Sequence, residues 1–265
     1  ERISNYLELK THETVLEVSL NALISNLNYY RTLIKPETKV MAMVKAFGYG
    51  IGDIDIANEL QYHKIDYLTV AYADEGITLK NKNIHVPIMV MNPDERSIES
   101  ILKYQLQPEI YSFRILNLLE QAMEHNPQIP DIRIHLKIDT GMHRLGFEKQ
   151  NLNDILHHLT ANPKIIVESV FSHFAAADDP KEDTFSRQQA ELLSECHDVI
   201  SKHLGYTPIK HIANSIGMIR FPEYQFDMVR LGIGLFGINP FANPTKIENV
   251  AGMRTIISQI KVIEK

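Results

Sequence analysis

Apolar residues recur along the chain with two alternating periods. Short runs rich in aliphatic residues read as strands: Glu13–Leu20, Lys39–Val44, Tyr67–Ala71, Val86–Met91, Gln107–Ile110, Ile132–Ile138, Ile165–Phe171 and Ile209–Ala213. Between them Asn21–Leu33, Asp53–His63, Arg114–His125, Leu152–Thr160 and Thr184–His203 place apolar residues at helical spacing. Strands separated by helices pair in parallel, and about eight such units predict a closed α/β barrel of the (β/α)8 TIM type. Glu13–Leu20 counts here as the first strand. No low-complexity stretch or Gly/Ser linker divides the chain, so residues 1–250 read as one barrel domain. Met253–Ile263 alternates apolar and polar like another strand, with no partner following it. Residues 251–265 are therefore expected to start a C-terminal β-domain that is cut off, and Glu at position 1 suggests a piece of a longer protein.

Composition adds little to this picture except by exclusion. The 265 residues are 44% hydrophobic and 23% charged, with a net charge of −6, an ordinary globular balance. No basic block forms a nucleic-acid patch, and no apolar run approaches the roughly 18 residues of a membrane span. The single cysteine, Cys196, has no internal disulfide partner, which fits a reducing, cytoplasmic setting.

In such a barrel, chemistry gathers where strands end. Lys45 ends the second strand of this count, Lys137 and Asp139 the sixth, His173 the seventh, and Asn214 and Ser215 the eighth. Arg230 and Gly232 lie where a late strand meets its loop. A lysine at a buried strand end is partly desolvated, which lowers its pKa and frees the amine for a Schiff base. A lysine that merely snorkels to water is the bland alternative, but glycines at 48, 50 and 52 let the backbone approach a ligand.

Two motifs are decoys. Gly232-Ile233-Gly234-Leu235-Phe236-Gly237 matches G-x-G-x-x-G, yet lies late in the chain and runs into Asn239-Pro240 without a helix, so a phosphate cradle fits better than a dinucleotide site. Asp139-Thr140-Gly141 matches the aspartic-protease tripeptide, but it occurs once, in a parallel α/β pattern. The 12 histidines show no metal-ligand spacing, and alternation alone leaves the direction of His135 open.

Several segments together resemble the alanine racemase family. They are Met43-Val44-Lys45-Ala46-Phe47-Gly48-Tyr49-Gly50, His135 through Phe147 (His-Leu-Lys-Ile-Asp-Thr-Gly-Met-His-Arg-Leu-Gly-Phe), Ser172-His173-Phe174-Ala175, Ala213-Asn214-Ser215 and Met228 through Ile233. Their order and spacing cover nearly the whole chain. The resemblance implies that Lys45 holds pyridoxal 5'-phosphate covalently and serves as one of two bases at the substrate α-carbon. It implies that Tyr49, Ser215, Gly232 and Ile233 bind the phosphate and that Arg230 donates to the pyridine nitrogen. Arg144 would contact the cofactor's phenolic oxygen and the substrate carboxylate, His173 would brace Arg230, and Asn214 would support the same network. Lys137 matches a position often carried as a carbamate that orients Arg144. Departures are Ile51 where the family usually has His, and His143 where it often has Gly.

An arginine facing the ring keeps that nitrogen unprotonated, which weakens the ring as an electron sink and favours racemisation over transamination. The resemblance further implies a head-to-tail homodimer making D-alanine for peptidoglycan. The second base would be a tyrosine of the C-terminal β-domain reaching the partner subunit's site. The segment around residues 1–20 also resembles the barrel half of a fusion in which a muramoyl-peptide ligase precedes the racemase. The alternatives are a barrel that binds or carries pyridoxal phosphate without turnover, and a racemase of broader specificity or a related decarboxylase.

Overall fold

The computed structural model describes residues 14–238 and 246–263. Glu13, most of the 1–20 segment, the Asn239-Pro240 run-out and residues 264–265 lie outside the described residues. The first strand, β1 (Val15–Val18), stands apart from the main sheet. Eight parallel strands then follow one another in space: β2 (Lys39–Met43), β3 (Tyr67–Val70), β4 (Ile88–Val90), β5 (Gln107–Ile110), β6 (Ile132–Lys137), β7 (Ile165–Phe171) and β8 (Ile209–His211), with β9 (Met228–Leu231) paired to β2. The two ends of this sheet meet. The Asp227 N–H donates to the Lys210 carbonyl at 3.1 Å and the Arg230 N–H to the Ala213 carbonyl at 3.0 Å, closing a (β/α)8 barrel.

Alternation along the strands separates two environments. On β2, Val40 and Ala42 join the main apolar core with the surrounding helices, while Met41 turns into the barrel with Tyr67, Met89, Phe171 and Met228. On β6, Ile132, Ile134 and Leu136 face the helices, and the intervening His135 and Lys137 are buried inside the barrel. The aliphatic runs thus hold the helical shell, and the interior takes methionine and aromatic side chains together with buried polar ones. Helices fall close to their expected spans. Leu20–Arg31 is capped by the Ser19 hydroxyl accepting from the Ala22 N–H, and Asp183–Leu204 ends at Gly205 in the left-handed conformation.

Two expectations are corrected. Glu13–Leu20 is not the first barrel strand; Met228–Leu231 supplies the eighth. A barrel strand is covered on both faces, and all four residues of β9 are buried, whereas β1 is only partly covered and Leu16 is 50% exposed. The C-terminal strand also has a partner. β10 (Ala251–Arg254) pairs antiparallel with β1, Val15 opposite Arg254 and Val18 opposite Ala251, and residues 255–263 form no strand. Met253 on this ribbon and Ile256, Ile257 and Ile260 after it are exposed.

Candidate active site

At the C-terminal mouth of the barrel a cavity of about 250 Å³ is lined by Met43, Lys45, Tyr49, Met91, Arg144, His173, Asn214, Ser215, Ile216, Arg230, Gly232 and Ile233. Nine of the ten residues given a role by the resemblance meet there, from segments far apart in the chain. The tenth, Lys137, sits below, inside the barrel. Met43, Met91 and Ile216 carried no chemical signal and were missed.

Lys45 leaves β2 into an unusual turn. Ala46, Phe47, Gly48 and Tyr49 all have φ between 54° and 58°, one turn of left-handed helix. The Glu75 carboxylate holds it, accepting from the N–H groups of Ala46 (2.5 Å), Ala71 (2.6 Å) and Tyr72 (3.1 Å). The turn brings Tyr49 back to the cavity that Lys45 faces, with its ring against Phe236 at 4.8 Å. Burial pushes the Tyr49 phenol above its ordinary pKa, so it stays protonated and able to donate.

The glycine-rich segment after β9 is a chain of turns from 232 to 237, with no helix, as expected for a cradle and not for a dinucleotide fold. The Gly232 N–H donates to Ser215 Oγ at 3.0 Å, joining this loop to the one after β8. A Cβ at position 232 would lie 3.0 Å from the Tyr49 hydroxyl, so only glycine leaves that space open. Hydroxyls of Tyr49 and Ser215 beside a backbone loop make a donor set suited to a phosphate, a few residues from a lysine amine suited to an aldehyde. The residues present fit a phosphorylated aldehyde cofactor.

Arg230 is buried beneath the cavity. One Nη donates to Nδ1 of His211, and the other lies 2.7 Å from the Ser172 carbonyl, 3.0 Å from the Ile212 carbonyl and 3.1 Å from His173 Nδ1. Its Nε–H has no partner among the described residues and remains for a ligand. Burial lowers its pKa to about 10, which leaves it cationic at neutral pH. Burial first, and the Arg230 charge second, hold His173 and His211 well below their ordinary pKa, so both are neutral. Neutral, His173 can accept from the guanidinium it faces. His211 was not singled out from sequence, although it ends β8, three residues before Asn214.

Asn214 departs from its expected place. Its Oδ1 accepts from the N–H groups of Ile216 (3.2 Å) and Gly217 (2.8 Å), capping the short Gly217–Arg220 helix, and it does not enter the Arg230 network. Asp139 is a loop builder: its Oδ1 accepts from the Gly141 N–H (2.9 Å) and the His143 N–H (3.0 Å). The loop closes through Asp139 N–H to Phe147 O and Phe147 N–H to Lys137 O, each 2.9 Å, and carries Arg144 to the cavity rim. His143 takes φ 54° there, which explains glycine as the commoner residue in the resembling motif.

Lys137 has a neighbour that the sequence did not reveal. Its ammonium is 3.0 Å from Oε1 of Glu109, and both side chains are buried. No other described group bonds to the Glu109 carboxylate. Burial drives the Glu109 carboxyl up and the Lys137 ammonium down, each opposed by the other's charge. A carbamate on Lys137 would set a second anion against this carboxylate. The geometry is that of a buried ion pair.

The family model for "Alanine racemase, N-terminal domain" matches residues 18–240. The alanine racemase of Geobacillus stearothermophilus is 34% identical over 229 residues, covering 86% of this chain and 58% of that protein. Alanine racemase 2 of Bacillus subtilis is 31% identical over 258 residues, covering 95% of this chain and 65% of that protein. Among solved structures, alanine racemase of Clostridium difficile 630 in complex with cycloserine superposes with a TM-score of 0.87 at 28% identity, covering 95% of this chain and 70% of that one. The chain spans less than two thirds of the length of both sequence relatives.

Proposed function

The chain belongs to the alanine racemase N-terminal domain family, and from that premise we propose that it is the cofactor-holding barrel of an enzyme that interconverts L- and D-alanine with pyridoxal 5'-phosphate. The observation that supports this most is one cavity lined at once by Lys45, Tyr49, Arg144, His173, Ser215, Arg230, Gly232 and Ile233. When bound, pyridoxal phosphate supplies an aldehyde and an electron-withdrawing ring that acidifies the α-carbon of an amino acid.

The chain's residues divide the remaining work. Lys45 holds the cofactor and takes or returns a proton at the α-carbon on one face. Tyr49, Ser215 and the backbone at Gly232 and Ile233 bind the phosphate. Arg230 donates to the ring nitrogen without giving up its proton, which limits competing transamination. His173 and His211, both neutral, orient that guanidinium. Arg144, on the loop over the rim, binds the substrate carboxylate; a carrier barrel has no use for such a loop, which favours turnover. Lys137 serves as the ammonium partner of Glu109.

Racemisation needs a second base on the opposite face, and we assign it to a part of the parent protein beyond these residues. The ribbon of β1 and β10, with its exposed apolar side chains, supports residues 251–265 as the beginning of a further β-domain. A homodimer whose partner supplies the second base, a cytoplasmic place in cell-wall precursor synthesis, and an upstream muramoyl-peptide ligase belong to the same proposal. Purified protein should take up pyridoxal phosphate and turn yellow, and Lys45→Ala should lose the band. This chain should exchange solvent deuterium into one enantiomer of alanine with little inversion. Failure to bind the cofactor would overturn the reading, and full-rate racemisation by these 265 residues would overturn the separate second base.

A further inference from the structure

A chain of polar side chains crosses the barrel interior one strand at a time. Gln107 lies on β5, His135 on β6, Ser169 on β7, His211 on β8 and Arg230 on β9. Gln107 Oε1 is 2.9 Å from His135 Nε2, and His135 Nδ1 is 2.7 Å from Ser169 Oγ. Ser169 Oγ is 3.0 Å from His211 Nε2, and His211 Nδ1 meets an Nη of Arg230. All five side chains are buried. The alignment depends on an irregularity. Between Ile134 and His135 the register of β6 on β7 shifts by one residue, so that Ile134 faces Val167 but His135 faces Ser169. Without that shift Glu168 would stand opposite His135.

The bond directions follow from the two ends of the chain, a guanidinium at one and the Gln107 carbonyl oxygen, an acceptor only, at the other. A guanidinium has donors only, so His211 Nδ1 must accept. Neutral His211 then carries its proton on Nε2 and donates to Ser169 Oγ. The Ser169 hydroxyl proton is left to point at His135 Nδ1, and His135 carries its own proton on Nε2, donating to Gln107 Oε1. The opposite arrangement would aim an imidazole N–H at an arginine N–H. Aromatic packing leaves the rings little freedom: Phe171 stacks on His211 at 4.8 Å and 4°, and Tyr67 meets His135 edge-on at 5.9 Å. Burial also holds His135 down to about 4, so the relay stays neutral at physiological pH.

We propose that Gln107, His135 and Ser169 are positioning residues for Arg230: they lock His211 in its Nε2–H tautomer and so fix the guanidinium with its unused N–H toward the cavity. The inference deepens the racemase reading and rests on it for its purpose, but the relay itself is a property of the protein without cofactor. None of the three residues lines the cavity.

The test is long-range ¹H–¹⁵N correlation on the histidine-labelled protein without pyridoxal phosphate. His135 and His211 should both be Nε2–H tautomers, unchanged between about pH 8 and about pH 6. An Nδ1–H tautomer at either, or protonation of either within that range, overturns the relay and leaves cofactor binding untouched. Ser169→Ala cuts the chain in the middle while keeping both imidazoles, and should move the His211 ring-nitrogen signals and lower kcat of the full-length enzyme by about tenfold or more with little change in KM. Ser169→Thr keeps the hydroxyl and should restore both. Unchanged His211 signals in Ser169→Ala, or no rescue by threonine, would reject a positioning role. Should Ser169→Ala fail to fold, the tautomers of the unmodified protein decide the question. Loss of cofactor uptake by the unmodified protein would instead reject the racemase reading.

Discussion

Lys137→Met would leave the Glu109 carboxylate buried without the ammonium that lies 3.0 Å from it, with only the charges of Arg230 and Arg144 still acting on it. The Glu109 side chain is 0% exposed and that of Lys137 4% exposed, so solvent screens neither charge. Removing one partner of a buried pair destabilises by about 3–5 kcal/mol, because the other charge is left uncompensated. At about 2–4 °C per kcal/mol for a chain of this size, the midpoint should fall by roughly 6–20 °C. The double replacement Glu109→Met with Lys137→Met removes both charges at similar volume and should be far milder, neutral or stabilising by about 1–4 kcal/mol. The pH dependence has a definite sign. Burial raises the folded-state pKa of Glu109, more so without Lys137. A carboxyl with a raised folded pKa contributes stability at low pH that is lost as pH rises through that pKa. The gap between Lys137→Met and the unsubstituted protein should therefore be widest near neutral pH and narrow toward acid. Urea melts across that range measure it. A single variant within about 1 kcal/mol of the parent at neutral pH, or a double variant as unstable as the single, would refute the buried pair. Labelling with ¹³C-bicarbonate checks the same point chemically: no carbamate carbon should appear, and a signal lost in Lys137→Met would refute the ammonium assignment.

Further outcomes follow from the loops and the histidines. Ala46 is exposed in the left-handed turn at φ 54°, so Ala46→Gly should relieve strain and stabilise by up to about 1 kcal/mol after glycine's greater unfolded entropy is counted; a loss of stability in denaturant would refute the strain. Gly146 has φ 130°, and an added Cβ would lie 2.6 Å from the Asp139 nitrogen, so Gly146→Ala should destabilise by about 1–3 kcal/mol and raise the KM for alanine through a displaced Arg144. An unchanged KM would dissociate that loop from substrate binding. His135, His173 and His211 are held neutral by burial, so their stability contribution is present above the ordinary histidine pKa and lost as pH falls. Together they should add a slope of about 4 kcal/mol per pH unit below about pH 6, opposed by one proton where Glu109 titrates. His135→Gln should remove about a third of that slope; an unchanged slope would mean the imidazole is not buried neutral. Arg230→Glu should keep the cofactor but increase transamination, and unchanged partitioning of products would defeat the role given to that charge.

Local structure was legible in the order of residues alone. Alternation and helical spacing marked seven of the eight barrel strands and several helices within a residue or two, since each run must bury its apolar face whatever its neighbours. Strand-exit position and short motifs picked out most of the cavity residues, because in a barrel the strand ends open onto one shared mouth. Three things were decided only by the closed fold. Val15–Val18 and Met228–Leu231 are both short and apolar, and only the pairing of β9 with β2 shows which one is a barrel strand. Glu109 lies 28 positions before Lys137, and neighbouring strands of a barrel bring them within 3.0 Å. His135 could not be aimed by counting, because a one-residue register shift decides which side chains of β7 it meets. Local pattern tells a residue whether it is buried. Which buried groups share an interior depends on register and closure, and these are settled by long-range hydrogen bonds that leave no trace at sequence separations of a few residues.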